Sequence, residues 1–376
     1  MSGLYIHIPY CASRCAYCAF YSSTYEGNRE EYVSALCREM ELRKSYLKGE
    51  PIRTIYFGGG TPSQLSIAEL DAILRHVYAS FDCSSVEELT VEVNPDDVTD
   101  EYVRGLRSLS VNRISIGVQS FRDEELMLIH RRHSAQQAVE AVACVKRNGI
   151  ENISIDLMYG LPGQTLESWK ESLKRAVGLD VPHVSAYSLT YEEGTRLSRL
   201  VADGDINPVD EDACAEMFSL LRDELSSAGY VQYEISNFSK PGMESKHNSS
   251  YWNGTTYAGF GASAHSYDGV SRQWNVSNTR VYIKKTLSGE CDFFEVERLN
   301  LATRYNDFVL TSLRTREGMN LAILKSAFGL PLYDYCLRNA EQFIANGSLL
   351  CDSNSLRLSE KGVFISDGIM SELMKV

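Results

Sequence analysis

The chain has 376 residues, 44% of them apolar, and 37 Lys and Arg stand against 50 Asp and Glu for a formal charge of −13. That surplus repels phosphate polyanions and anionic lipid, which argues against nucleic acid as a partner; no run approaches the roughly eighteen apolar residues of a membrane span. The N-terminus, MSGLYIHIPY, has neither a basic flank nor a long apolar stretch, so a cytosolic protein is expected, of about two to three domains by length.

From the start to about residue 240, short β-branched runs alternate with longer amphipathic ones, the pattern of βα units around a parallel sheet. The predicted strands are LYIHI (4–8), TIYF (54–57), LTVEV (89–93), RISIGV (113–118), NISIDLMY (152–159), HVSAYSL (183–189) and VQYEI (231–235). Between them EEYVSALCREMELRKSYL, IAELDAILRHVYASF, QQAVEAVACVKRNG and LESWKESLKRAVG carry apolar residues at helical spacing, the third closing on Gly149. Six or seven such units predict an α/β fold, a partial or full (β/α) barrel. The unusual residues follow strands: the cysteine loop, GGGTP, ExNPD, QSF and GLPGQ, where barrels of this kind place function.

Past residue 240 comes SKPGMESKHNSSYWNGTTYAGFGASAHSY, too long and irregular for an ordinary connection, and read as a functional loop or a junction. From about residue 295 the chain turns helical, then short-stranded with LLCDSNSLRLS before a last helix, as in a winged-helix-like domain without the basic excess of a DNA binder. The expected division is therefore a barrel over 1–240, a linking segment over 241–294 and a smaller, mainly helical domain over 295–376.

Ten cysteines are too dilute for a disulfide scaffold. Cys37, Cys83, Cys144, Cys214, Cys291, Cys336 and Cys351 are scattered and read as small buried hydrophobes. Cys11, Cys15 and Cys18 crowd into eight positions as C-x3-C-x2-C, a spacing that lets three thiolates converge on one inorganic cluster. Three ligands leave one iron of a cubane open to an exchangeable molecule. A zinc site completed by a distant His or Cys, or a chance grouping, stays open at this point. Residues 1–25 hold no Asp or Glu and only Arg14 as a full charge, while Tyr10, Tyr17, Phe20 and Tyr21 are expected to shield the site.

YIHIPYCASRCAYCAF, followed in order by YFGGGTPS, VEVNPD, GVQSF and IDLMYGLPGQT, resembles the radical S-adenosylmethionine superfamily. Within it the chain is similar to the subgroup of oxygen-independent coproporphyrinogen III oxidase and its relative, the haem chaperone. The resemblance implies a barrel of radical SAM type, a [4Fe-4S] cluster on Cys11, Cys15 and Cys18, S-adenosyl-L-methionine on the open iron, and an electron donor for the cluster. It further implies Tyr17 beside the adenine, Gly59, Gly60 and Thr61 near the methionyl amine, and Glu92 and Asp156 as acceptors for ammonium or ribose hydroxyls. Gln119 would be a neutral partner, Arg131 a bidentate carboxylate clamp, and Tyr5 and His7 would lie beside the cluster. No residue is assigned firmly to catalysis.

The oxidase pattern adds a cysteine two residues after the third, where this chain has Phe20, and an arm before the first strand; here only ten residues precede Cys11. HNSSYW (247–252) fits the HNxxYW pattern of the chaperone branch. That branch implies haem binding and delivery to an unidentified acceptor protein, with His247 as axial ligand oriented by Asn248, flat area from Tyr251 and Trp252, and His265 as a lesser second ligand. The alternative is the oxidase itself, a radical enzyme of porphyrin biosynthesis. Sequence leaves a homodimer open.

Overall fold

The computed structural model describes residues 1–25, 27–290 and 292–375; Cys291 lies outside them. Six parallel strands follow one another in a single sheet: β1 (Ser2–Ile8), β2 (Ile52–Gly59), β3 (Glu88–Val93), β4 (Arg113–Gln119), β5 (Asn152–Tyr159) and β6 (His183–Ser188). Successive side chains on a strand point to opposite faces. On these six, one set is apolar and buried under the helices, as with Ile6, Phe57, Val91, Ile116 and Ile155. The alternate set is polar: Tyr5 and His7, Thr54 and Tyr56, Glu88 and Glu92, Arg113 and Ser115, Ser154 and Asp156. The barrel therefore encloses a polar lumen and keeps its apolar core in the outer layer, unlike barrels packed with branched aliphatics.

The curl is incomplete. β1 pairs with β9 (Tyr257–Phe260) and β6 pairs with β8 (Asn237–Ser239), not with each other. The run 231–235, expected as one more parallel unit, is β7 (Val231–Glu234) of an antiparallel hairpin with β8. A two-residue connection cannot make the crossover that parallel strands require.

The segment read as irregular is ordered. It contains the helix Lys246–Trp252, β9 and β10 (His265–Tyr267); β11 (Ser271–Asn275), the helix Thr279–Ser288 and β12 (Phe294–Arg298) follow. Together they extend the sheet in the order β12-β11-β10-β9-β1. Strands of three to five residues are too short for a periodicity to register. One side chain ties this extension to the barrel. Glu39, fully buried on the helix Arg29–Arg43, accepts from Arg43 Nη1 at 2.6 Å, Gly261 N at 2.8 Å, Asn275 Nδ2 at 2.8 Å and the Tyr282 hydroxyl at 2.6 Å.

Gly149 follows its helix with φ +81°, as predicted. The helices Asp100–Ser108, Arg196–Ala202 and Glu211–Ser227 are additions to the predicted set. Near the C-terminus, helices Leu301–Leu313 and Leu321–Ala345, the latter broken at Gly329 ahead of Pro331, pack with a small antiparallel sheet. Its strands are β13 (Met319–Asn320), β14 (Leu349–Cys351) and β15 (Ser355–Leu358), a helical and winged-helix-like arrangement with its own core around Tyr305, Leu324 and Leu356. Of the scattered cysteines, Cys37, Cys144 and Cys336 are buried and Cys83 and Cys214 half-buried, but Cys351 is exposed, because β14 turns only Leu349 inward.

Candidate functional site

β1 runs into Pro9, and the loop that follows is tied down at several backbone points. Cys11 N donates to Ser23 O at 3.0 Å, Ser23 N to Pro9 O at 2.7 Å, Ala16 N to Ile129 O at 3.0 Å, and Leu197 N to Ala16 O at 2.9 Å. Ala16 packs with Ile129, Met158, Leu161, Leu189 and Leu197, and half-buried Tyr17 rests on that cluster. A loop seated this way on the ends of β4 and β5 presents its three cysteines at the C-terminal end of the strands.

The thiols lie within electrostatic reach of one another: burial raises Cys11 and Cys18 above the ordinary thiol range, and Cys15 adds to both shifts. The Thr61 hydroxyl donates to Cys11 Sγ and Arg131 Nη1 to Cys15 Sγ, each at 3.4 Å. Donors aimed at sulfur are what a thiolate-held cluster requires to spread its charge. Arg131 Nη2 donates to Asn94 Oδ1 at 2.8 Å and Gly117 O at 2.5 Å, while its Nε is buried without a partner, an orphan donor beside the cysteine loop. Among the described residues no three thiol, imidazole or carboxylate groups stand close enough to hold one metal ion. A cubane takes each of its thiolates on a different iron, and three cysteines of one loop, two of them with a donor on the sulfur, are a donor set that fits it.

Around the loop, the other expected residues gather at the same end. Glu92 accepts from the Tyr56 hydroxyl at 2.6 Å and from Gly59 N at 3.2 Å. Burial pushes its carboxyl up to about 7, and burial lifts Asp156 to about 6. Gln119 ends β4 with φ +66°, a left-handed conformation that a non-glycine residue holds only under constraint, next to a register shift against β5. The Tyr5 hydroxyl bonds His7 Nδ1 at 3.1 Å, and His7 Nε2 bonds Tyr21 O at 3.0 Å; burial lowers His7 to about 4 and keeps it neutral.

The glycines of GGGTP answer to the protein itself. A Cβ on Gly59, where φ is +112°, would lie 2.5 Å from the His7 ring, and one on Gly60 would lie 2.8 Å from Pro9 C. Their first duty is to let β2 end against β1. Two of the aromatic residues expected to shield the cluster do not. Phe20 is 71% exposed, and Tyr10 is buried against Tyr32, ring centroids 5.5 Å apart, in the helix layer.

The largest correction concerns His247. It lies at the opposite end of the barrel, against Gly3 and Thr54, one strand length or roughly 17 Å from the cysteine loop. Nδ1 bonds Thr54 Oγ1 at 2.8 Å, Nε2 bonds the Tyr251 hydroxyl at 2.9 Å, and the ring stacks on Tyr56 at 5.0 Å. Glu88 accepts from Lys246 N and His247 N, both at 2.9 Å, fixing the start of the helix. Burial, with Arg113 beyond it, lowers His247 to about 3. The imidazole is a neutral plug in the barrel floor with both nitrogens engaged, and Thr54 and Tyr251, not Asn248, orient it. His265 is exposed on β10 and stacks on Trp274 at 6.2 Å. Neither imidazole is presented as a pair of axial ligands would be.

Residues 5–176 match the radical SAM superfamily and residues 299–365 the HemN C-terminal domain. The chain is 33% identical to the heme chaperone HemW of Mycobacterium tuberculosis, over 99% of this chain and 94% of that one. To the heme chaperone HemW of Bacillus subtilis it is 34% identical, over 100% and 99%. The chain belongs to the HemW family of the radical SAM superfamily. In fold it is similar to coproporphyrinogen III oxidase (HemN) from Escherichia coli, with a TM-score of 0.85 and 22% identity over 99% of this chain and 90% of that one. Membership of the HemW family implies a [4Fe-4S] cluster and S-adenosylmethionine. No helix among the described residues is long and apolar enough to cross a membrane.

Sequence reading missed Tyr56, Arg113, Asn94 and Glu88; the strict polar alternation of the six strands was the signal for the lumen-facing ones. The raised carboxyls have a consequence for stability. Glu92 folded binds its proton more tightly than when unfolded, so its contribution is full at pH 4 and is lost as pH rises through about 7. The buried histidines act in the opposite sense below about pH 6.5, so the comparison is made at each pH between cofactor-free wild type and Glu92→Gln. The variant is expected to gain on wild type by up to about 3 kcal/mol between pH 5 and pH 8 in denaturant melts. A pH-independent difference would mean that Glu92 is solvated in the folded protein.

Proposed function

We propose that the chain is a haem chaperone of the cytoplasm, which holds haem and passes it to an acceptor protein. Cys11, Cys15 and Cys18 hold a [4Fe-4S] cluster, and S-adenosylmethionine exchanges on its open iron. The observation that carries this reading is the identity of 33% with relatives named heme chaperone across 99% of the chain. Phe20, where the oxidase pattern has a further cysteine, supports it, and the nine described cysteines are free thiols.

When bound and reduced, the cluster supplies the electron that splits a sulfonium C–S bond. The chain's own part is positioning. Thr61 and Arg131 steady two of the sulfurs, and the orphan Arg131 Nε is a donor for a carboxylate. Glu92 and Asp156 present acceptors from the lumen for ammonium or ribose hydroxyls, with Gln119 as a neutral partner. Tyr17 would lie by the adenine, Tyr5, bonded to His7 Nδ1, would orient that ring beside the cluster, and Gly59 and Gly60 would leave room for the methionyl end.

The test is anaerobic incubation of reconstituted protein with coproporphyrinogen III, reductant, an electron donor and S-adenosylmethionine, alongside a haemin titration followed in the Soret band. A saturable Soret change and no protoporphyrinogen are expected. Steady formation of protoporphyrinogen would make the chain an oxidase.

A further inference from the structure

A cleft of about 820 Å³ separates the helix Lys246–Trp252 from the C-terminal helices, a volume typical of small-molecule sites. It belongs neither to the cysteine end of the barrel nor to the lumen. One wall is a chain of rings: Tyr251 meets Tyr257 at 4.8 Å and 85°, and Tyr257 meets Tyr267 at 6.4 Å. Phe308 and Phe328 line the cleft from the C-terminal side. Flat apolar surface on two sides suits a planar, largely apolar ligand.

The polar groups are few. Arg272 is paired with Asp307, but Arg304 and Arg316, which also line the cleft, have no ion-pair partner among the described residues. Glu244 and Glu317 reach the rim too, so the two arginines act as local anchors and not as a general field for anions. The Trp252 indole N–H is buried without a hydrogen-bond partner. A flat molecule with carboxylates at one edge matches this distribution.

We propose that the cleft is the haem site, with the macrocycle between the aromatic walls and its two carboxylates on Arg304 and Arg316; the proposal rests on the haem-chaperone reading. His247 is not among the residues that line the cleft; it lies behind the wall, its Nε2 bonded to the Tyr251 hydroxyl at 2.9 Å.

Full-length protein titrated with haemin tests the assignment. The charge-reversed R304E/R316E chain is expected to bind haemin at least about tenfold more weakly, and R304K/R316K to recover most of that loss. Haemin dimethyl ester, which lacks the free carboxylates, should bind wild type and R304E/R316E within about twofold of each other. His247→Gln should stay within about twofold of wild type, since the ring touches the cleft only through Tyr251. Should the double variant fail to fold, Ile323→Glu, at a rim position 51% exposed, replaces it and is expected to weaken haemin binding. Equal haemin affinity in wild type and the cleft variants, or a Soret change abolished by His247→Gln alone, would place haem elsewhere while leaving the chaperone reading intact. A wild-type chain with no saturable change would remove that reading itself.

Discussion

Serine in place of Cys11, Cys15 or Cys18 is expected to abolish iron–sulfur loading while leaving the barrel folded. The loop is held by backbone hydrogen bonds through Cys11, Ser23, Ala16 and Leu197, and by the apolar cluster around Ala16, none of which needs a sulfur atom. Stability should therefore change by no more than about 1 kcal/mol in the cofactor-free protein. Iron and sulfide, by contrast, should fall from about four of each per chain after anoxic reconstitution to background, because two thiolates cannot retain a cubane that three just hold. Cys15→Ser also removes the sulfur to which Arg131 Nη1 donates, as Cys11→Ser removes the one to which Thr61 donates, each at 3.4 Å. A full complement of iron in all three variants, or zinc in place of iron in the wild type, would overturn the assignment of the loop.

The second large effect lies far from the cluster. Glu39→Ala should cost about 3–5 kcal/mol, the range for removing one partner of a buried ion pair, read as a lowered denaturation midpoint. Glu39 gathers four donors, and its removal leaves Arg43, still hydrogen-bonded to Gly259 O and Ser266 Oγ at 2.8 Å, as an uncompensated charge in the interior. Because Gly261, Asn275 and Tyr282 all reach Glu39, the loss should fall first on the β9 to β11 extension and show as faster amide exchange there than in β2 to β5. Uniform loss of protection across the sheet would mean that the extension and the barrel unfold as one.

The six parallel strands and the convergence of motifs at their C-terminal ends were legible, because those strands are long enough for an alternating pattern and each motif follows one directly. The cysteine loop stood out by its spacing, which left zinc or a chance grouping open until it was read with the order of the motifs that follow. What sequence hid was partnership across distance. Nothing in REEYVSALCREMELR distinguishes Glu39 from its acidic neighbours, since three of its four partners lie more than two hundred residues away. His247 presented the same difficulty in reverse: an imidazole in an aromatic motif reads as a ligand until Thr54 and Tyr251 are seen on its two nitrogens. The short strands β8 to β10 fell below the length at which a period can be counted, and the direction of β7 depended on a turn of two residues.

An unclosed sheet has two free borders, and each is a template on which another chain could add. On one side β12 carries FEVER, with Glu295, Glu297 and Arg298 exposed, so an incoming strand would have to bring matching charge at three of the five positions. On the other, residues 314–316 lie along β7, with Ile235 N donating to Arg314 O and Arg316 N to Tyr233 O, both at 3.1 Å. One border is blunted by charge and the other is covered by the polypeptide itself, which guards a half-open barrel against fibre formation without a closing strand.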